Sequence, residues 1–267
     1  MNVSRVLSIP LRQFYLYRGS VARLVPTFAW VTIDMVLWGF MTKFLSSMTL
    51  TQYRFVPALL GAVLFWDFMT RVMQGVTTAF FEDVWTRNFL NVFATPLTVP
   101  EYITGLLLTS IATSAVGLVV MAAIATLAFG LSFASYGAMV VPFVLVLFLF
   151  GMALGVAAIA IVLRLGPAAE WFVWPIPALL APFAAVYYPL MTLPHWMQAI
   201  SRLLPPSYVF EGMRSVVAGQ RVDGALLGTA FALSIACVLA ASWIFARVFR
   251  HAVRTGLIAR YSAESVS

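Results

Sequence analysis

Long apolar stretches separated by short polar breaks run through most of the chain. Six of them, at residues 25–47, 56–80, 103–130, 138–163, 171–190 and 224–246, are long enough to cross a bilayer. A helix rising about 1.5 Å per residue needs about 20 residues to span a hydrocarbon core of about 30 Å. The pattern predicts an all-α integral membrane protein with six transmembrane helices. Residues 1–24 read as an amphipathic helix, with Arg5, Arg12 and Arg23 on one face and Phe14, Leu16, Tyr17 and Val21 mostly elsewhere. Pro10 is expected to start that helix, because proline is tolerated in a first turn and not in an interior. The segment serves equally as the positive flank of the first span. The expected organisation is an N-terminal helix over 1–24, a membrane domain over 25–250 and a tail over 251–267. Two connections, 81–102 and 191–223, are long enough to be structured.

Composition removes the soluble classes. Of 267 residues, 63% are hydrophobic and 9% charged, with a mean hydropathy of +0.98. A soluble domain carries about 25% charged residues. The net charge of +7 raises nucleic acid as a partner, yet the arginines gather at the chain ends, which suits anionic headgroups instead. No nucleic-acid partner is expected. With six spans both ends lie on the same side. The positive-inside rule then puts ten cationic residues in the cytoplasm, among them Arg87, Arg164 and Arg247, and five outside. The first apolar run, starting near Leu24, lacks a small-residue cleavage site and is expected to stay as an anchor.

Most enzyme chemistry lacks its residues. Lys43, the only lysine, sits in Thr42-Lys43-Phe44 and cannot form a Gly-Lys-Ser/Thr phosphate loop, so the chain has no ATPase site of its own. His195 and His251 are the only histidines and Cys237 the only cysteine, so no metal, haem or disulfide framework is expected. No catalytic residue, cofactor site or metal site is assigned.

Three regions hold candidate chemistry. Asp34 in the first span and Asp67 and Arg71 in the second are costly inside a membrane. Asp67 and Arg71 share a helix face. The three either line a translocation route or form a buried ionic lock between two spans. In the connection 81–102, Glu82, Asp83, Trp85, Arg87, Phe89 and Phe93 lie before the stops at Pro96 and Pro100. Their aromatic rings either meet a partner protein or rest on the membrane interface. In 191–223, prolines open two short helices and Gly219 ends the second. Trp196, Pro205, Pro206, Tyr208, Glu211 and Arg214 mark this hairpin, and Glu211 and Arg214 can clasp each other. The spacings Gly151-x-x-x-Gly155 and Gly224-x-x-x-Gly228 permit close helix approach.

Two stretches resemble the type-two ABC exporter permeases. One is Glu82…Trp85-Thr86-Arg87-Asn88…Thr95-Pro96-Leu97…Glu101-Tyr102, after the second span. The other is Leu193-Pro194-His195-Trp196…Leu204-Pro205-Pro206-Ser207-Tyr208…Glu211-Gly212-Met213-Arg214…Gly219, before the last. The resemblance implies that 82–101 holds a coupling helix docking on an ATP-binding subunit, two copies of which bind ATP and Mg. It implies a re-entrant external hairpin over 194–219. It also implies a second permease copy or homologous permease against spans one, two and five, in a bacterial inner membrane with both termini cytoplasmic. The function it implies is outward movement of a drug, lipid or lipid-linked polysaccharide by alternating access. Tyr187, Tyr188 and Trp196 either stack on sugars or belong to the interfacial belt. The main rival is a proton- or ion-coupled secondary transporter with Asp34, Asp67 and Arg71 as its relay. A lipid-processing enzyme and a purely structural subunit are the others.

Overall fold

The computed structural model describes residues 2–48, 56–86, 91–92 and 95–255, apart from the side chains of 22–24 and 26–27. The described residues are almost entirely helical, with no strand among them. Five helices are long and apolar enough to cross a membrane: Phe28–Met48, Val56–Trp85, Val99–Phe129, Gly137–Leu165 and Gly224–Arg254.

The chain opens with α1 (Val3–Arg18), whose first turn is capped by the Asn2 side chain accepting from the Ser4 N–H at 3.0 Å. The helix starts at Val3 and runs through Pro10, so Pro10 does not begin it. Pro10 cannot donate to the Val6 carbonyl, and that carbonyl instead looks onto Gly105, where an added Cβ would lie 3.1 Å away. α1 lies lengthwise along α4 (Val99–Phe129): Asn2 meets Glu101 and Ile9 meets Gly105, while Phe14 and Tyr17 share a hollow with Thr113 and Val116. Val3, Leu7, Leu11, Phe14 and Tyr15 form its exposed apolar side.

α2 (Val21–Met48) is followed by a π-helical turn (Val56–Leu60) that leads into α3 (Gly61–Trp85). α4 runs antiparallel to α3: Tyr102 meets Asp83, the Ser110 hydroxyl donates to the Val72 carbonyl at 2.6 Å, and Gly117 faces Arg71. Gly130, at φ +72°, ends α4 in the left-handed conformation that glycine adopts without steric cost. Tyr136, in the loop that follows, donates to the Pro57 carbonyl, and burial pushes its phenol well above the usual range. α5 (Val140–Leu165) runs parallel to α3. Added Cβ atoms on Gly151 and Gly155 would lie 2.7 Å from the Met69 carbonyl and 2.8 Å from the Val76 Cβ. Lipid leaves no hydrophobic force to pull helices together, so this small-residue seam sets how closely they pack. The spacing Gly224/Gly228 makes no such contact among the described residues.

The predicted span 171–190 differs most from expectation. It holds two short helices, α6 (Glu170–Val173) and α7 (Ile176–Leu180), followed by turns, rather than one continuous helix. Prolines 175, 177, 182 and 189 remove backbone donors, and Ala185 takes a positive φ of 50°. Direction explains what the segment does. Ser234 of α10 (Gly224–Arg254) reaches Val146, and Phe245 and Val248 join the cluster around Ile159 and Leu163, so α5 and α10 run in the same direction. Residues 166–223 therefore return along the bundle. They leave the end where Trp85 bonds Glu170 and reach the level where Tyr187 stacks on Trp38, 5.0 Å between centroids. Before α10 come α8 (His195–Ser201) and α9 (Pro205–Val217), the two short helices expected from the prolines.

The core has two parts. One packs Phe65, Met69, Phe143 and Phe210 toward the end bearing the α4–α5 loop. The other packs Phe80, Phe81, Tyr102 and Phe245 toward the end bearing Trp85, called the base below. α3 and α5 form the centre, with 61% and 56% of their most apolar windows buried, against 22% for α2.

Candidate functional site

At the base, α1 brackets the connection between α3 and α4. The Arg12 guanidinium grips Asp83 with two contacts, 2.7 Å to Oδ1 and 3.0 Å to Oδ2, and the Tyr102 hydroxyl donates to Oδ2 at 2.7 Å. Asp83 is 1% exposed, so three donors satisfy a carboxylate that is out of solvent. On the other side of the connection, Glu101 accepts from the Asn2 N–H at 2.7 Å and the Thr98 N–H at 2.9 Å. Arg5 donates to the Pro96 carbonyl at 2.6 Å and lies 3.9 Å from Glu101. The stretch 86–98 is thus tied to one helix at both ends. Trp85, 53% exposed, donates its indole N–H to Glu170 at 2.7 Å, and Glu82 is half-buried beside it. Arg87, Phe89 and Phe93 lie outside the described residues.

Halfway along α3, Asp67, Arg71, Gln74 and Thr78 recur at four-, three- and four-residue steps and form one polar stripe. Arg71 lies 3.3 Å from Asp67 across one turn, and its stem passes Gly117, where an added Cβ would be 2.9 Å from Cδ. The stripe borders a cleft of about 520 Å³. Asp34 of α2 also lines the cleft, and Thr113 of α4 contributes a hydroxyl. Tyr17, Trp30 and Trp174 supply aromatic walls, the last from the link between α6 and α7. The structure therefore places all three intramembrane charges around one space. Asp67 and Arg71 pair, while Asp34 makes no hydrogen bond or ion pair among the described residues. Asp34 and Trp30, the latter 69% exposed, leave the cleft open on the α2 side.

At the opposite end from the base, Glu211 and Arg214 clasp at 2.8 Å and also hold the returning segment. Glu211 accepts from the Leu190 N–H at 2.6 Å, and Arg214 donates to the carbonyls of Ala185 at 2.9 Å and Val186 at 3.3 Å. This guanidinium takes up the carbonyl of Ala185, the described non-glycine residue with positive φ. Ser207 donates to the Ser201 carbonyl and Tyr208 to the Arg202 carbonyl, closing the α8–α9 turn. Pro205 and Pro206 are buried in that turn, whereas Trp196 is 62% exposed with its ring edge against Phe183.

Sequence reasoning missed the bracket made by Arg5, Arg12, Glu101 and Tyr102. One part carried a signal: Thr98-Val99-Pro100-Glu101 is a capping box with proline in the first turn. The Asp83–Arg12 pair joins residues 71 apart and has no local signature. The extension of the stripe to Gln74 and Thr78 was readable from helical spacing, whereas the meeting of Tyr17, Trp30 and Trp174 was not.

The family model for the ABC-2 type transporter matches residues 16–218, which takes in the cleft, the connection at the base and both helices of the α8–α9 hairpin. None of the curated proteins compared matches the chain. The match covers most of the chain, and the described residues supply five apolar helices of spanning length. The chain therefore belongs to the ABC-2 type transporter family: it is a multi-pass membrane permease component of an ABC system, not the ATPase, and works with an ATP-binding partner.

Proposed function

We propose that this chain is the membrane half of an ATP-driven exporter that moves a hydrophobic or amphipathic cargo outward by alternating access. The observation that carries this reading is the charged cleft halfway along the bundle, open on the α2 side. Six crossings enclose little space of their own, and a second permease copy against α2, α3 and the returning segment closes the cleft into a path. The returning segment counts as the fifth of six crossings, so both ends of the membrane domain lie on one side. That side is the cytoplasm of a bacterial inner membrane, because Arg164, Arg247, Arg250 and Arg254 all lie at the base. The exposed apolar row of α1 rests in the bilayer interface, and α8 and α9 form a re-entrant cap at the outer end.

In this scheme the ATP-binding subunits, two per transporter, hold ATP and Mg and dock on the connection that begins at Glu82 and Trp85. Their movement passes through Arg5 and Arg12 into α1, and through Glu101 into α4. A ligand or nucleotide drives the cycle only by binding one state better than the other. The test is co-purification with the ATP-binding subunit and cargo-stimulated hydrolysis by the complex. Replacing Glu82, Arg87 and Phe89 together by alanine is expected to abolish both. Asp83 is left intact in this variant because it anchors α1. Unchanged co-purification and hydrolysis contradict the docking assignment.

A further inference from the structure

We propose that the cleft between α2 and α3 binds an organic cation with an aromatic or apolar body, and that Asp34 receives its positive charge. This rests on the reading of the cleft as a cargo path and adds the class of cargo. Charge accounting comes first. Asp83 and Glu101 at the base and Glu211 at the far end each hold an arginine or backbone donors, as described above. Trp85 bonds Glu170, and the Asp223 side chain accepts from the Ala225 N–H to cap α10. In the cleft, Arg71 answers Asp67 at 3.3 Å. Asp34 lies in the middle of a spanning helix, lines the same cleft, and makes no hydrogen bond or ion pair among the described residues. Among the described residues that line the cleft, two carboxylates stand beside one guanidinium, in a chain of net charge +7.

The walls agree with the charge. Trp30, Trp174 and Tyr17 line the cleft, and aromatic faces attract cations through their quadrupoles while covering apolar surface. A volume of about 520 Å³ suits a molecule of several rings rather than a metal ion or a polymer chain. An anionic lipid or an acidic polysaccharide would meet Asp34 and Asp67 unfavourably. A neutral lipid would leave Asp34 and Asp67 sharing the single Arg71 guanidinium inside the membrane, where charge is costly.

The experiment uses the full chain in nanodiscs without nucleotide or ATP-binding subunit, so it stands apart from any failure of ATPase coupling. The probes are tetraphenylphosphonium, a permanent cation; triphenylphosphine oxide, its neutral counterpart; and tetraphenylborate, its anionic one. Binding above that of empty nanodiscs is measured with radiolabelled probes. Saturable binding of the cation alone is expected, weakened at least tenfold by Asp34→Asn and kept within about threefold by Asp34→Glu. Trp30→Ala, whose side chain is largely exposed, provides a second arm with an expected loss of several-fold. Melting temperatures matching the unsubstituted chain establish that the variants fold. Equal binding of the three probes, no saturable cation binding, or an Asp34→Asn variant that binds like the unsubstituted chain overturns the proposal.

Discussion

Asp83 and Asp34 are the same side chain in two opposite settings. At the base, Asp83 is enclosed by Arg12 and Tyr102, which supply three donors at 2.7–3.0 Å. In the cleft, Asp34 makes no hydrogen bond or ion pair among the described residues and feels Arg71 only at longer range, while Arg71 pairs with Asp67. A carboxylate whose hydrogen-bonding capacity is filled contributes to holding the fold together. One left open in the middle of a membrane helix is costly, about 2.5–3.5 kcal/mol by insertion scales, and its capacity remains available to something else. The contrast separates a carboxylate that holds two helices and a connection together from one whose hydrogen-bonding capacity is unused among the described residues.

The contrast can be broken most forcefully at Asp83. Asp83→Ala leaves the buried Tyr102 hydroxyl and the Arg12 guanidinium without their acceptor, at a cost of about 3 kcal/mol, the low end for a buried pair because Arg12 is 30% exposed. The expected result is loss of monodisperse protein on size-exclusion chromatography, or a much lower melting temperature. Next comes the α3–α5 seam. Gly151→Leu drives a side chain into the Met69 carbonyl and Val72, an overpacking that costs about 1–3 kcal/mol and is read as a lower melting temperature in detergent. The matching change Gly228→Leu, where nothing lies within 4 Å, is expected to leave the melting temperature unchanged.

At the far end, Arg214→Gln removes the donors to Ala185 and Val186 and opens the clasp with Glu211. The expected cost is about 1–3 kcal/mol, confined to this region. Hydrogen exchange should accelerate across 183–192 and stay unchanged in α3 and α5. The smallest loss belongs to the cleft: Asp34→Asn is expected not to lower the melting temperature, because it breaks no hydrogen bond among the described residues and removes a charge that is costly in a membrane. A destabilisation at Asp34 as large as that at Asp83 would erase the distinction between the two sites.

The sequence makes legible those parts of the fold that depend on local pattern. Four apolar runs with no proline after their first turns became α2, α3, α4 and α10, and a fifth, with Pro142 near its start, became α5. The run 171–190 carries no charged residue but four prolines, so a reading based on apolar length predicted a continuous helix where the chain breaks. Its path is set by distant partners, namely Trp85 at one end and Trp38 and Arg214 at the other. The pairings Asp67–Arg71 and Glu211–Arg214 lie within one turn and were readable from spacing. The bracket around 86–98 was not, because α1 reaches Asp83 and Glu101 across 71 and 99 residues of chain. The charged residues of the cleft were picked out singly by their cost in a membrane, whereas their gathering around one space required the packing of α2 against α3 and α4.

Under the proposed mechanism the permease moves its cargo only when a docked subunit hydrolyses ATP. The most direct measurement is uptake of labelled tetraphenylphosphonium into inside-out proteoliposomes, made with and without the ATP-binding subunit. Accumulation above that of protein-free liposomes, which this lipophilic cation enters by itself, is expected to require ATP and both proteins, with none under an imposed proton gradient in the permease alone. Gradient-driven accumulation by the permease alone would contradict it and would make Asp34, Asp67 and Arg71 the relay of a secondary transporter.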